Sequence, residues 1–298
     1  MAKVPYSKPP LDYQAQLQQL KDRGLIVEDE SKALHLLRHL SYYRLSGYWY
    51  PLLADKENHV FKETASFDTA FDLYCFDREL RVLIIQELEK IEVSIRAKMI
   101  YLLSHQNGAF WYKNTNLFRN QIRHSNDLIS LDKEYNRSDA DFIVAFKGKY
   151  SDPLPPSWML LELTSFGTLS SLFSNLKPSR TKRNIANHFG LDEKTFASWM
   201  HSIVYIRNVC AHHSRLWNRV MSIQPIRPLN ARKEWLKSHS VPNNKTYFIL
   251  SMILYLLQTI NPKNSFSKRF KLLLLKYPNV DTKAMGFPEN WKDELIWN

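Results

Sequence analysis

Apolar residues recur along most of this chain at three- and four-residue spacing, the period of an α-helix rather than the alternation of a strand. A Pro-marked entry leads into a short helix over about 12–22, closed at Gly24. A second helix is predicted from Ser31, a plausible N-cap, to about Tyr43, with Ala33, Leu36, Leu37 and Leu40 on its buried side. From Phe67 to Ser104 the period runs on without Gly or Pro, and Leu73, Phe76, Leu80, Leu83, Ile84, Leu88, Ile91 and Ile95 form one stripe. Such a length means either one spine or two helices in series. Asp77, Arg81, Glu89, Glu92 and Arg96 fall outside the stripe, as a solvated face or, for Glu92 and Arg96, as the lining of a polar cleft.

A polar, Asn-rich stretch at about 105–153 reads as an insertion with short helices, and its Arg119, Arg123, Lys147 and Lys149 either touch a phosphate backbone or simply solubilise the chain. A helix then starts after Pro156 and bends at Gly167. A short helix, a turn at Gly190 and a longer helix lead to the stretch YIRNVCAHHSRLWNR at 205–219. Beyond it come a loop broken by Pro225 and Pro228, a helix at 247–260, a short helix at 265–276 and a Trp-bearing tail. The organisation expected is all-α: a small helical lobe at 1–62 and a helical domain at 63–298 that carries the insertion.

Composition supports this reading and adds a partner. With 298 residues, 44% of them hydrophobic, and only seven glycines, the chain can fill a proper core. The formal charge of +12 and 13% aromatic residues suit phosphates and flat bases, so nucleic acid is favoured over an anionic membrane. The most apolar run, at 247–260, falls short of the roughly twenty residues a span needs, and the N-terminal stretch lacks a signal-peptide core. No membrane partner is expected, and the cytoplasm is the expected compartment. Cys75 and Cys210 are too few for a ligand cluster and read as small core residues; His35 and His39 lack ligand companions, so neither metal nor cofactor is expected.

One competing signature precedes the 205–219 stretch. Residues 184–200 place Ala186, Gly190 and Phe196 at helix-turn-helix spacing, but any helix pair packed through a Gly turn needs these residue types. The recognition helix would also open with Asp192 and Glu193, which repel phosphates. A DNA-binding regulator is therefore the weaker reading.

On a regular helix, Trp199, Ile203, Ile206 and Cys210 lie within a narrow arc that His213 continues, whereas Arg207, Asn208 and His212 fall in the opposite half with His201. This predicts a packed His213 and an exposed trio. Cleaving RNA without a metal calls for a group that exchanges protons near neutral pH and a fixed cation for the charge on the phosphorus oxygens, which His and Arg supply. Arg207 and His212 are five residues apart, about 140° around the helix. Either the helix ends or distorts here, or two copies of the motif complete one site in a homodimer.

The stretches at 8–52, 74–96, 154–173 and 205–219 together resemble the Abi family of bacterial phage-resistance (abortive infection) proteins, within the HEPN superfamily of helical ribonucleases. The resemblance implies a HEPN-like helical bundle with a metal-independent endoribonuclease site at a dimer interface, and a role in halting growth or translation on infection. Arg207 matches the motif arginine, Asn208 the polar residue that follows it and His212 the histidine. His213 also satisfies the looser spacing and, with His201, is a possible support. Tyr42, Tyr43, Arg44, Tyr48 and Trp49 form a second cluster, read either as a surface stacking RNA bases or as an aromatic junction; Arg96 is a further RNA-binding candidate. RNA is the expected partner, with an inhibitory antitoxin, protein or small RNA, as a second. A non-catalytic RNA-binding or scaffold protein on the same fold is the alternative.

Overall fold

The structure, a computed structural model, describes residues 4–238 and 240–298. In chain order its α-helices are α1 (Tyr13–Asp22), α2 (Glu30–Leu40), α3 (Tyr42–Trp49), α4 (Phe67–Asn107), α5 (Gln121–Arg137), α6 (Asp141–Lys149), α7 (Ser157–Leu160), α8 (Phe166–Asn175), α9 (Arg180–His188), α10 (Glu193–Ala211), α11 (Thr246–Ile260) and α12 (Phe266–Lys276). Short 3-10 turns and one antiparallel ribbon, β1 (Leu53–Asp55) with β2 (Val60–Phe61), complete the described residues; the ribbon pairs Leu53 with Phe61 and Asp55 with Val60 across a bulge. The fold is mostly α, as the periodicity predicts.

Side-chain caps decide where the helices begin. Asp12 accepts from the Ala15 amide, and Asp29, rather than the expected Ser31, caps α2 by accepting from the Lys32 amide. The helix predicted to reach Tyr43 is two helices. At Ser41 the backbone turns to φ 63, closing α2, and its hydroxyl accepts from the Arg44 amide to open α3. The long apolar segment is one spine, α4, and every residue of its predicted stripe is buried.

The chain divides into two compact units, Met1–Leu80 with Leu272–Val280, and Arg81–Lys271 with Asp281–Asn298. In the first, Leu17, Leu20, Leu37, Leu45, Trp49 and Phe76 form the core. Asp77 is not on a solvated face. It is fully buried and accepts a 2.6 Å bond from the Tyr48 hydroxyl, as a desolvated carboxylate requires.

In the second unit, α11 is buried from Thr246 through Leu257, the interior helix expected for 247–260. Around α10 are Phe173 of α8, Phe189 and Tyr255 of α11: Phe196 meets the two phenylalanines with ring centroids 5.0 Å apart, and Trp199 meets Tyr255 edge-on at 5.3 Å. Helix α5 packs against α8, with His124 buried, stacked on Phe118 and 2.7 Å from the Tyr112 carbonyl oxygen. Glu87, fully buried on α4, is paired with Arg269 and Lys90. Among the described residues no helix is long and apolar enough to cross a membrane.

The turn before α10 shows why glycine stands there. Gly190 has φ +77, and the Tyr255 hydroxyl donates to its carbonyl oxygen at 2.7 Å. A Cβ at this position would lie 2.7 Å from that hydroxyl oxygen. Gly190→Ala is therefore expected to lower stability by about 2 kcal/mol or more, from left-handed strain plus overpacking. In a double-mutant cycle with Tyr255→Phe, measured by denaturant unfolding, the two losses should be sub-additive, because the second change removes the clashing oxygen.

Candidate functional site

Helix α10 packs one side into the core and carries the candidate site over its last turn. The Asp192 side chain starts it, accepting from the amides of Lys194 and Thr195; burial works against that carboxylate, but the bonds from Thr195 and Lys194 outweigh it and hold its pKa below the usual range. Phe196, Trp199, Met200, Ile203, Ile206, Val209 and Cys210 are buried. Opposite them run His201, Tyr205, Asn208 and His212, spaced four, three and four residues apart so that they line one side; Arg207 does not join the row, since it stands seven residues after Met200 and four after Ile203 and shares their side of the helix. Arg207, Asn208 and His212 are all exposed; for Asn208 and His212 this is as the face argument predicts, whereas Arg207 is exposed on the side of the helix that buries Met200 and Ile203, and its Nη1 is 3.5 Å from Asn208 Oδ1.

The end of α10 departs from that prediction. The helix stops at Ala211, and the His213 amide donates to the Cys210 carbonyl at 3.1 Å while the Ser214 amide reaches back to the Val209 carbonyl at 2.9 Å. This pair of bonds is the Schellman motif, whose reversing residue is usually glycine. Here it is His213, at φ 53. The left-handed turn swings its side chain off the buried arc, so His213 is exposed and not on the packed side. The helix does not stay regular through 213, but the turn comes after His212 and leaves the roughly 140° between Arg207 and His212 in place.

The turn is anchored from below. Buried Arg81 of α4, which the pattern placed on a solvated face, donates from Nη1 to the Ser214 carbonyl at 3.4 Å. Leu216 and Trp217 are buried, and the Thr246 hydroxyl donates to the Leu216 carbonyl at 3.3 Å. Asn218 is the second left-handed residue of this loop, at φ 50. Non-glycine residues in this conformation persist where surrounding contacts over-determine them, and such sites concentrate where function is carried.

Other predicted residues lie elsewhere. His201 is exposed but about 16 Å along the axis from His212, too far for one phosphate. Arg96 is buried, and its guanidinium is taken up by the carbonyls of Glu162 (2.8 Å) and Thr164 (2.9 Å) and by the Glu92 carboxylate (2.6 Å); it clamps a turn and presents nothing to RNA. In the aromatic cluster Tyr48 and Trp49 are core residues, the first bonded to Asp77 and the second edge-on to Tyr42 at 5.0 Å. Tyr43 and Arg44 stay at the surface. At the helix-turn-helix signature Ala186 and Phe196 are fully buried, so these positions serve the packing of the helix pair. Among the described residues, no group of three or more His, Cys, Asp or Glu is placed to hold a metal ion; the His35 and His39 rings lie 4.6 Å apart on their own.

Sequence reasoning missed Tyr205 and Arg219. Arg219 Nε donates to the Tyr205 hydroxyl at 2.9 Å, and its Nη1 donates to the Arg215 carbonyl at 3.2 Å. Burial alone would raise the Tyr205 phenol, but bonds with Ser222 and Arg219 more than offset it and leave its pKa below the ordinary value. The signal was present in the spacing, since Tyr205 falls three before Asn208 and seven before His212.

These features describe a helical protein that holds an arginine, an asparagine and two histidines exposed at the end of a core helix. The chain belongs to the Abi-like protein family, whose model matches residues 35–218, from α2 to the loop after α10. That membership suggests a role in abortive infection, the phage-resistance response. No curated protein and no solved structure matches the chain.

The strain at His213 can be isolated from its side chain. His213→Gly and His213→Ala both delete the imidazole, but only alanine keeps a Cβ in the left-handed region. The glycine variant is expected to be about 1 kcal/mol the more stable of the two, read as a higher denaturant midpoint at unchanged slope.

Proposed function

We propose that this chain is a metal-independent endoribonuclease acting in abortive infection, on a HEPN-type helical scaffold. The observation that carries the reading is the exposure of Arg207, Asn208 and His212 together over the last turn of a helix otherwise held in the core. An RNA 2′-hydroxyl attacks the adjacent phosphorus while the bond to the 5′-oxygen breaks, leaving a 2′,3′-cyclic phosphate and a 5′-hydroxyl. His212 takes the proton from the 2′-oxygen or returns one to the departing 5′-oxygen. Arg207 stabilises the charge gathering on the equatorial phosphorus oxygens, and Asn208, beside it, orients a phosphate oxygen or the imidazole.

With His213 exposed next to His212, acid and base can come from one chain, or from two in a homodimer of the kind the family resemblance implies. The net charge of +12 favours RNA as substrate and would equally suit an inhibitory RNA antitoxin.

Purified protein is expected to cut single-stranded RNA in EDTA. Arg207→Ala and His212→Ala should each reduce cutting at least a hundredfold with unchanged melting temperatures. Full cleavage by His212→Ala would contradict the assignment, and RNA binding without cleavage by the wild type would favour a scaffold on the same fold.

A further inference from the structure

The polar row on α10 extends below the proposed cleavage site. Tyr205 lies about 4.5 Å down the axis from Asn208 and about 10 Å from His212, on the same side of the helix. Arg219 reaches it from the loop that follows the helix. The left-handed turn at Asn218 precedes Arg219, whose amide donates to the Leu216 carbonyl at 3.2 Å. Its guanidinium carbon lies 5.7 Å from the centre of the Tyr205 ring, Nε bonds the phenol and Nη1 bonds the Arg215 carbonyl. Nη2 makes no hydrogen bond to the described residues. An arginine fixed on three sides with one edge left over is a preorganised cation, since its rotamer freedom is already lost before a ligand arrives.

Distance and chemistry separate this cation from the first. Tyr205 stands about two helical turns from His212 and, although only two residues before Arg207, about 160° around the helix from it, so the cation it holds is set apart from the first by a distance on the scale of phosphate spacing in an extended single strand. There is no imidazole at this end of the row apart from His201, four residues further down. The pair can hold a phosphate but has little with which to cut at one.

We infer that Arg219, propped by Tyr205, binds a phosphate flanking the scissile one, so that the site engages at least two successive phosphates of single-stranded RNA. This rests on the ribonuclease reading for which phosphate is cut, but not for the contact itself. Tyr205 acts as a positioning residue and touches the RNA only through the arginine it holds.

Binding is measured on an RNA oligomer carrying 2′-O-methyl groups, which cannot undergo internal attack. In Arg219→Gln the slope of log affinity against log salt should fall by about one ionic contact, with affinity down about tenfold at low salt. Cleavage is compared on a dinucleotide, which offers only the scissile phosphate, and on a longer oligomer. The oligomer-to-dinucleotide ratio of kcat/KM should fall about tenfold in Arg219→Gln, chiefly through KM, whereas Arg207→Gln should depress both substrates. Tyr205→Phe, which keeps the ring and frees the guanidinium, should move the same ratio in the same direction by a smaller factor, and it serves as the test if Arg219→Gln does not fold. An unchanged salt slope together with an unchanged ratio would overturn the inference. If the wild type cuts no RNA but the slope difference persists, the ribonuclease reading fails and the phosphate contact stands.

Discussion

The bond from the Arg81 guanidinium to the Ser214 carbonyl ties the interior of the second unit to the turn where α10 ends. A buried arginine is expensive to desolvate, and the expense is tolerable only where its donors meet well-placed acceptors. By meeting one at Ser214 it secures the residue whose own amide completes the helix terminator. The Schellman bonds then fix His213 in its left-handed conformation, and the burial of Leu216 and Trp217 holds the rest of the loop down. Exposure of the two histidines follows from these constraints and not from a loose end.

Helix α10 thereby does two things with one sequence. Its buried face, centred on Phe196, Trp199 and Ile203, is clasped by aromatic rings from α8, α9's following turn and α11. A close-packed face of this kind is stiff, with low compressibility. Arg207, Asn208 and His212 therefore project from a rigid support, the condition under which a short polar motif can act on a substrate without being rearranged by it.

Much of this was legible in the sequence. The stripe of α4, the interior character of α11 and the exposure of Asn208 and His212 all follow from 3.6-residue periodicity, whereas Arg207 shares the angle of Met200 and Ile203 and is exposed all the same. Periodicity fails where the backbone departs from it. Nothing in residues 205–213 marks a helix end, because the reversing position carries histidine where glycine would announce it, so the period puts His213 on the wrong face. It also fails for polar residues satisfied inside. Asp77, Arg81 and Arg96 look like a solvated face until their partners, Tyr48, the Ser214 carbonyl and the carbonyls of Glu162 and Thr164, arrive from distant segments. Tyr48 and Trp49 mislead in the same way, since an aromatic cluster beside an arginine reads alike whether it stacks bases or fills a core. Arg219 was invisible because its role depends on a loop turning back over Tyr205.

The central claim is that an arginine and a histidine at this helix end cleave RNA by internal attack. The most direct measurement is mass spectrometry of the ends formed when the purified protein is incubated with a single-stranded RNA in EDTA. The account predicts 2′,3′-cyclic phosphates facing 5′-hydroxyls, and no cut where the upstream ribose is replaced by deoxyribose. Ends bearing a 3′-hydroxyl and a 5′-phosphate, or cutting that persists at the deoxyribose, would contradict it.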